Sequence, residues 1–171
     1  YKPMPGYRFI ASNTDRSKYY VGELNGRSSK QAYMDALHIS ESNIINQTFH
    51  NPIGKMNGQD ICIISLKEVS GNGLCCYRQV NDSDVLVLLE EQDYNEILDE
   101  TLQRIRRDFN HISGVFSINC VFRYLLFSQE HHMEDYLKTM STLGDHAGLI
   151  GFGEHYNQQF VNQTMTCVVF E

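Results

Sequence analysis

The stretch that decides the fold reads Gly148-Leu-Ile-Gly-Phe-Gly-Glu154. Its glycines alternate, or nearly alternate, with Leu149, Ile150 and Phe152, and this spacing predicts a buried strand that another segment approaches closely. A glutamate directly after such a strand is most often a solvated strand end. The rest of the chain decides whether Glu154 is more than that.

Composition and charge restrict the classes of partner. The chain has 171 residues, 42% of them apolar, which suits one globular domain with a real core. The net charge of -7 argues against nucleic acid or an anionic membrane as partner, because both favour a basic surface. The apolar runs, such as Val85–Leu89, are too short to cross a bilayer.

The cysteines carry no zinc-like spacing, and most of them lie in strand-like runs, where free cysteine behaves as a small apolar residue. They are Cys62, Cys75, Cys76, Cys120 and Cys167. Their odd number fits a reducing compartment, so we expect a cytoplasmic protein.

The first part of the chain predicts a strand, a helix and a loop. Residues 1–18 are polar and contain proline, so they are expected to form a linker or an extra edge strand. Tyr19–Leu24 alternates like a strand and ends at an Asn-Gly turn. Ser28 is the expected N-cap of a helix, with Gln31 completing a capping box. Residues 40–59 are polar and indicate a loop.

The remaining chain predicts further strands and two more helices. The predicted elements are a three-strand meander (Asp60–Glu68, Gly73–Val80, Val85–Glu91), a helix capped by Asp93, a strand (Gly114–Asn119) that runs into the apolar Cys120–Phe127, a helix (Glu130–Leu143), the Gly148–Glu154 strand, a turn over residues 157–161 and a last strand (Thr164–Phe170) antiparallel to its predecessor. The order β-α-β-β-β-α-β-α-β-β predicts an α+β fold, with about three helices packed on a mainly antiparallel sheet. The strands Gly114–Asn119 and Gly148–Glu154 are expected to be central in that sheet.

Two opposite charges follow these two apolar strands. Arg123 comes soon after Gly114–Asn119, in an apolar run, and must either extend to solvent or find an anion. Glu154 ends the other strand. The two side chains could neutralise each other as an internal ion pair, or they could hold the carboxylate and the ammonium of an α-amino acid.

The ligand reading predicts a set of residues that converge at one end of the sheet. They are Asn119, Cys120, Arg123, Gly153, Glu154 and Asn162. No nucleophile with a base, no phosphate-binding loop and no dinucleotide fingerprint is readable, so we expect a binding protein and not an enzyme. No metal site is expected from the spacing of the seven histidines, of which only His146 and His155 flank the glycine-rich strand.

The order of motifs resembles the FIST C-terminal domain family, from about Tyr20 to the end of the chain. The matching motifs are Tyr20-Val-Gly-Glu-Leu-Asn-Gly26, Asn51-Pro-Ile-Gly54, Phe116-Ser-Ile-Asn-Cys-Val-Phe-Arg123, Gly148–Glu154 and Val161-Asn-Gln-Thr164. Two positions depart from the family pattern. Phe122 stands where the family usually has glycine, and Gln163 stands where histidine is common.

The resemblance implies a non-catalytic sensory domain of a bacterial signal-transduction protein, spanning residues 19–171. It implies a small-molecule ligand such as an amino acid, an N-terminal half of the module that is absent from this sequence, and a downstream output domain as partners. Relatives described as haem-binding gas sensors imply an alternative with His146 or His155 as axial ligand. Our first expectation is that the domain binds no cofactor. A eukaryotic relative with an F-box implies a third class, the protein-interaction scaffold.

Overall fold

The computed structural model describes residues 1–58, 60–156 and 159–171, with only the backbone of Gln159. The chain folds into two compact units, Tyr1–Glu91 and Gln92–Glu171. The sequence predicts a single domain, and the division falls between the last strand of the predicted meander and the helix that Asp93 caps.

The described part of the first unit holds eight strands and two α-helices. Their bounds are β1 (Lys2–Asp15), β2 (Tyr20–Leu24), β3 (Arg27–Ser28), α1 (Ser29–Leu37), a 3-10 turn (Glu41–Asn43), α2 (Ile44–Gln47), β4 (Ile53–Asn57), β5 (Asp60–Ile64), β6 (Leu66–Ser70), β7 (Gly73–Cys76) and β8 (Val85–Glu90). The strands form one antiparallel sheet in the order β5-β4-β8-β1-β2-β7-β6, with β3 paired to β2.

The predicted start of α1 is confirmed. Asn25 and Gly26 both have positive φ, 53° and 71°, as a tight hairpin turn between β2 and β3 requires. Ser28 then caps the helix, because its hydroxyl accepts a hydrogen bond from the Gln31 backbone N–H at 3.2 Å. Ala32 and Tyr33 of this helix are buried.

One apolar cluster forms the core of the first unit. Its buried members are Ala11, Val21, Leu24, Ala32, Tyr33, Ile44, Ile53, Ile64, Leu66, Leu74, Cys76, Val80, Leu86 and Leu88. They come from seven strands, from α1 and α2 and from the segment before β8, so both helices cover the same face of the sheet.

Three predictions from the sequence assign the wrong structure or the wrong neighbours to segments of this unit. The segment 1–18 is neither linker nor edge, because β1 pairs with β8 on one side and with β2 on the other. The loop predicted over 40–59 contains α2 and β4, where Ile53 is buried; Gln59 lies outside the described residues. The predicted meander is broken, since β5 pairs with β4, β6 with β7, and β8 lies between β4 and β1.

The described part of the second unit holds three α-helices and five strands. Their bounds are α3 (Tyr94–Asp108), β9 (Gly114–Cys120), α4 (Val121–Gln129), α5 (Met133–Ser141), β10 (Asp145–Gly151), β11 (Glu154–Tyr156), β12 (Gln159–Val161) and β13 (Met165–Phe170). Asp93 caps α3 as predicted, accepting from the backbone N–H groups of Asn95 and Glu96.

The second unit has a small mixed sheet with β9 in its centre. The strand order is β10-β9-β13, with β10 parallel and β13 antiparallel to β9. The connection from β9 to β10 runs through α4 and α5, as a parallel pair requires. Val115, Ser117 and Asn119 alternate along β9 and are buried, on the face where Tyr136 of α5 hydrogen-bonds to Ser117 and Asn119.

The opposite face of this sheet is apolar and open. Leu149 lies beside Ile118, and Val168 lies beside Phe116, so these four side chains share a face. Leu149 is 48% exposed and Val168 is 54% exposed. The prediction that Gly148–Glu154 is central in the sheet is therefore wrong, because its strand β10 forms one edge of the sheet.

The α+β class and the mainly antiparallel character are confirmed, but the helices outnumber the predicted three. The apolar run after β9 is the helix α4, and Glu154 belongs to a separate short strand, β11, which pairs with β12. The last strand pairs with β9 and not with its predecessor. Of the turn predicted over 157–161, residues 157 and 158 lie outside the described residues.

Candidate functional site

The end of β9 and the start of α4 place Cys120 at a helix N-terminus. Cys120 is the N-cap residue of α4 and is 1% exposed. Burial raises the pKa of its thiol, and hydrogen bonds from the backbone of Gln163, Phe122 and Arg123 act against this rise. The thiol is therefore held in its neutral form, in a place where backbone N–H groups converge.

Glu154 is the buried acid of the same region. It is 2% exposed, and its Oε2 accepts a hydrogen bond from the Thr164 hydroxyl at 2.7 Å. Within the described residues, its Oε1 is buried and has no hydrogen-bond partner. Burial raises the pKa of the carboxyl; hydrogen bonds from Thr164 and Cys120, and last the Arg123 charge, oppose that rise.

Arg123 lies in the first turn of α4. The prediction that it follows directly from the end of a strand is therefore wrong. Its guanidinium carbon is 4.5 Å from the ring centroid of Phe127, one helical turn later, and 5.4 Å from that of Tyr136 on α5. Two aromatic faces thus support the cation. Its charge also acts on Glu154, where it opposes the rise in the pKa of that carboxyl.

Gly153 and Asn162 meet on the other side of Glu154. Gly153 has φ of +128°, and an added Cβ would run into the Phe160 ring and lie 2.9 Å from the Asn162 side-chain oxygen. Asn162 is buried. Only glycine allows the backbone before Glu154 to approach β12 this closely, which is the role the glycine-rich sequence predicts.

Asn119 connects this region to Tyr136, Ser117 and His146, which are not among the six predicted site residues. Its Nδ2 donates to the Tyr136 hydroxyl at 2.9 Å, and Tyr136 and Ser117 are 3.3 Å apart, oxygen to oxygen. Ser117 Oγ lies 2.9 Å from His146 Nε2. Ser117 could have been recognised from the sequence, because it and Asn119 are polar residues two positions apart in a strand that is otherwise apolar.

A contact chain links all six predicted site residues. Glu154 hydrogen-bonds to Cys120 and interacts electrostatically with Arg123, Arg123 stacks on Tyr136, and Tyr136 accepts a hydrogen bond from Asn119. Gly153 precedes Glu154 and faces Asn162. The structure brings these residues together; their role in binding a ligand stays a prediction.

Comparison with known families decides the larger class of this chain. The model of the FIST C domain family matches residues 30–157, three quarters of the chain. The chain belongs to the FIST C family. No curated protein and no solved structure gives a significant match.

The family match confirms the resemblance read from the motifs. FIST C domains are sensory domains associated with signal transduction. The matched range contains five of the six predicted site residues, and Asn162 lies beyond it, together with Thr164. Among the residues that the structure describes, no helix of this FIST C domain has the length and apolar character needed to span a membrane.

The two candidate haem ligands of this FIST C domain have different surroundings. His146 is partly buried, burial lowers its pKa, and its Nε2 is occupied by Ser117. His155 is exposed on β11, and its ring packs edge-on against Phe160 with centroids 5.3 Å apart. An axial role for His146 through Nε2 would break the contact to Ser117.

Proposed function

We propose that this FIST C domain is a non-catalytic sensory domain that binds an amino acid or a small carboxylate in the polar cluster around Glu154 and Arg123. The N-terminal half of the module and a downstream output domain would be its protein partners in the cytoplasm. The ligand-binding residues would be Asn119, Cys120, Arg123, Gly153, Glu154 and Asn162.

The observation that carries the proposal is the incomplete bonding of Glu154. A buried carboxylate normally has its acceptor positions filled, because an unsatisfied buried acceptor costs about 1–3 kcal/mol, and more when it is charged. Here Thr164 and the Cys120 thiol both hydrogen-bond to the carboxyl, and its Oε1 still has no partner within hydrogen-bonding geometry among the described residues. A small ligand with an N–H donor would complete the bonding of that oxygen.

Arg123 supplies the cation that would bind the carboxylate of the ligand. A guanidinium offers planar donors that match the two oxygens of a carboxylate. The rings of Phe127 and Tyr136 restrict its motion, so less side-chain entropy is lost when a ligand binds. An α-amino acid carries both complementary charges, and a small carboxylate carries one.

The chemistry of Cys120 favours binding over catalysis. A nucleophilic cysteine needs a lowered pKa, whereas burial raises the pKa of this thiol. Its acidic neighbour Glu154 also has a raised pKa.

A thermal-shift screen of amino acids and small carboxylates tests the proposal. Wild type should melt at a higher temperature with at least one of them, because a ligand that binds only the folded state stabilises it. Glu154→Gln and Arg123→Gln should each abolish the shift. Arg107→Gln, at the exposed end of α3, is the matched control and should keep it.

Two results would count against the proposal. If no compound in the panel raises the melting temperature of wild type, the ligand part is wrong. If Arg123→Gln keeps the full shift, the cation does not bind ligand. A stoichiometric Soret band after haem addition, lost on replacing His146 or His155, would support the haem alternative instead.

A further inference from the structure

Four side chains form one line of hydrogen bonds behind the candidate site. The line begins at Asn119, passes through the Tyr136 and Ser117 hydroxyls and ends at His146, with steps of 2.9, 3.3 and 2.9 Å. Asn119 Nδ2 also lies 3.4 Å from Ser117 Oγ. Ser117 and Tyr136 are nearly inaccessible to solvent, so this line cannot exchange its partners freely with water.

The direction of the line follows from counting hydrogens. Each hydroxyl has one hydrogen to donate. If the bare Nε2 of a neutral His146 accepts from Ser117, then Ser117 must accept from Tyr136. Tyr136 in turn must accept from the side-chain nitrogen of Asn119, which is the contact observed.

This direction leaves the side-chain oxygen of Asn119 unused. Asn119 is 8% exposed, and within the described residues its Oδ1 is buried without a hydrogen-bond partner. The neutral state of His146 agrees with the lowering of its pKa by burial. If Nε2 carried a proton instead, the line would reverse, and Asn119 would turn its oxygen to Tyr136.

Two buried acceptor atoms in the contact chain therefore lack a hydrogen-bond partner among the described residues. They are Asn119 Oδ1 and Glu154 Oε1. A carboxylate ligand has only acceptors at neutral pH and cannot satisfy either of them. A primary ammonium group has three N–H donors and no acceptor, and it carries the charge that Glu154 favours.

We propose that the site selects ligands with a primary ammonium group, and that Tyr136, Ser117 and His146 set this selectivity by holding the carbonyl oxygen of Asn119 free for the ligand. The inference rests on the proposed function and narrows its ligand class to amino acids or amines. Tyr136 is a positioning residue, because it acts through Asn119 and Arg123.

The test compares each amino acid with the carboxylic acid of the same carbon skeleton that lacks the amine. The probe pairs are alanine and propionate, aspartate and succinate, and glutamate and glutarate, with the other amino acids screened for a hit. For the amino acid that binds wild type, calorimetric titration should give a dissociation constant at least about 10-fold below that of its deaminated analogue, since one charged hydrogen bond contributes about 1.5–3 kcal/mol.

Tyr136→Phe tests the positioning role. This change keeps the ring below Arg123 and removes the hydroxyl that holds Asn119. The preference for the amine should fall to within about 3-fold, while the dissociation constant of the deaminated acid stays nearly unchanged. Tyr33→Phe, in the core of the first unit, is the control and should leave both constants unaltered.

The possible outcomes distinguish a failure of the ammonium selectivity from a failure of the proposed function. If the deaminated acids bind wild type as tightly as the amino acids, the inference is overturned and the proposed function stands. If Tyr136→Phe weakens both members of a pair equally, Tyr136 supports the fold and does not set selectivity. If nothing in the panel binds wild type, the proposed function fails together with the inference. The wild-type comparison decides the ligand class even if the variant does not fold.

Discussion

The two units of this chain treat buried polar side chains differently. In the first unit they bind backbone groups: Ser29 donates to the Val21 carbonyl at 2.6 Å, Tyr33 to the Asn51 carbonyl at 2.7 Å, and Thr48 accepts from the Leu66 N–H at 2.8 Å. In the second unit the buried Ser117, Asn119 and Tyr136 bind one another. The first pattern completes secondary structure, and the second builds a side-chain network.

The difference teaches where stability and function lie. A polar group that completes a backbone contact can be explained by folding alone. A network that leaves acceptor atoms without partners lowers stability, and such costs are usual at binding sites. We therefore expect apolar substitutions to matter most in the first unit and polar ones to change binding in the second.

The largest effect is expected from Leu88→Ala in β8. Leu88 is fully buried in the apolar cluster, and removing a buried leucine leaves a cavity and costs about 2–5 kcal/mol. Leu149→Ala, on the open sheet face of the second unit, should cost about 1 kcal/mol or less. Urea unfolding followed by circular dichroism measures both. Equal costs would show that the open face is covered in solution.

Gly153→Ala should have the next largest effect. The alanine would adopt an unfavourable φ of +128° and its Cβ would meet the Phe160 ring, so we expect a loss of roughly 2–4 kcal/mol. Gly26→Ala is the control, since it has φ of +71° with nothing within 4 Å of its Cβ. In Gly26→Ala, the backbone strain of a positive φ alone should cost roughly 1–2 kcal/mol. If both changes cost the same, the packing of Gly153 against β12 does not matter.

Sequence patterns predicted the elements that have local signals. The Asn25-Gly26 turn and the caps Ser28 and Asp93 were found because each feature depends on a few neighbouring residues. The helix α4 was missed because a short apolar run fits a buried strand as well as a helix. The place of β1 was missed because pairing partners distant in sequence decide whether a strand is an edge.

The candidate site was partly readable for the same reason. Arg123 and Glu154 stand out as charges in apolar surroundings, so the sequence alone points to them. Tyr136 does not stand out, because an inward tyrosine on a helix is common, and His146 stands out only as a histidine that flanks the glycine-rich strand. Their place in the site depends on the packing of α5 against β9 and on the register of β10.

A matched pair of tyrosine variants sharpens the comparison between the units. Tyr33 is 1% exposed and Tyr136 is 2% exposed, and each hydroxyl is hydrogen-bonded. Tyr33→Phe and Tyr136→Phe should each cost about 1–2 kcal/mol, because each leaves a buried polar group without its partner. Thermal and urea unfolding measure this cost. A loss in Tyr136→Phe far above that in Tyr33→Phe would make the network chiefly structural.

The smallest effect concerns pH, and it separates a ligand site from an internal ion pair. Burial raises the pKa of Glu154 above its ordinary value of 4.5, so between the two values the folded protein holds a proton that the unfolded chain has lost. The stability from this proton is complete below the ordinary value and is lost as pH rises through the raised pKa. Glu154→Gln stays neutral, so its stability relative to wild type should increase over that window.

Glu134→Gln is the control of opposite sign, because the hydrogen bond and charge of Lys138 lower the pKa of Glu134. That variant should lose stability relative to wild type as pH rises through the lowered pKa toward the ordinary value. Urea unfolding of the ligand-free proteins between about pH 3 and pH 8 measures both differences. If Glu154→Gln follows the sign of Glu134→Gln, the ionised carboxylate is already stabilised without ligand. Arg123 and Glu154 would then form the internal ion pair, and the ammonium site would be lost.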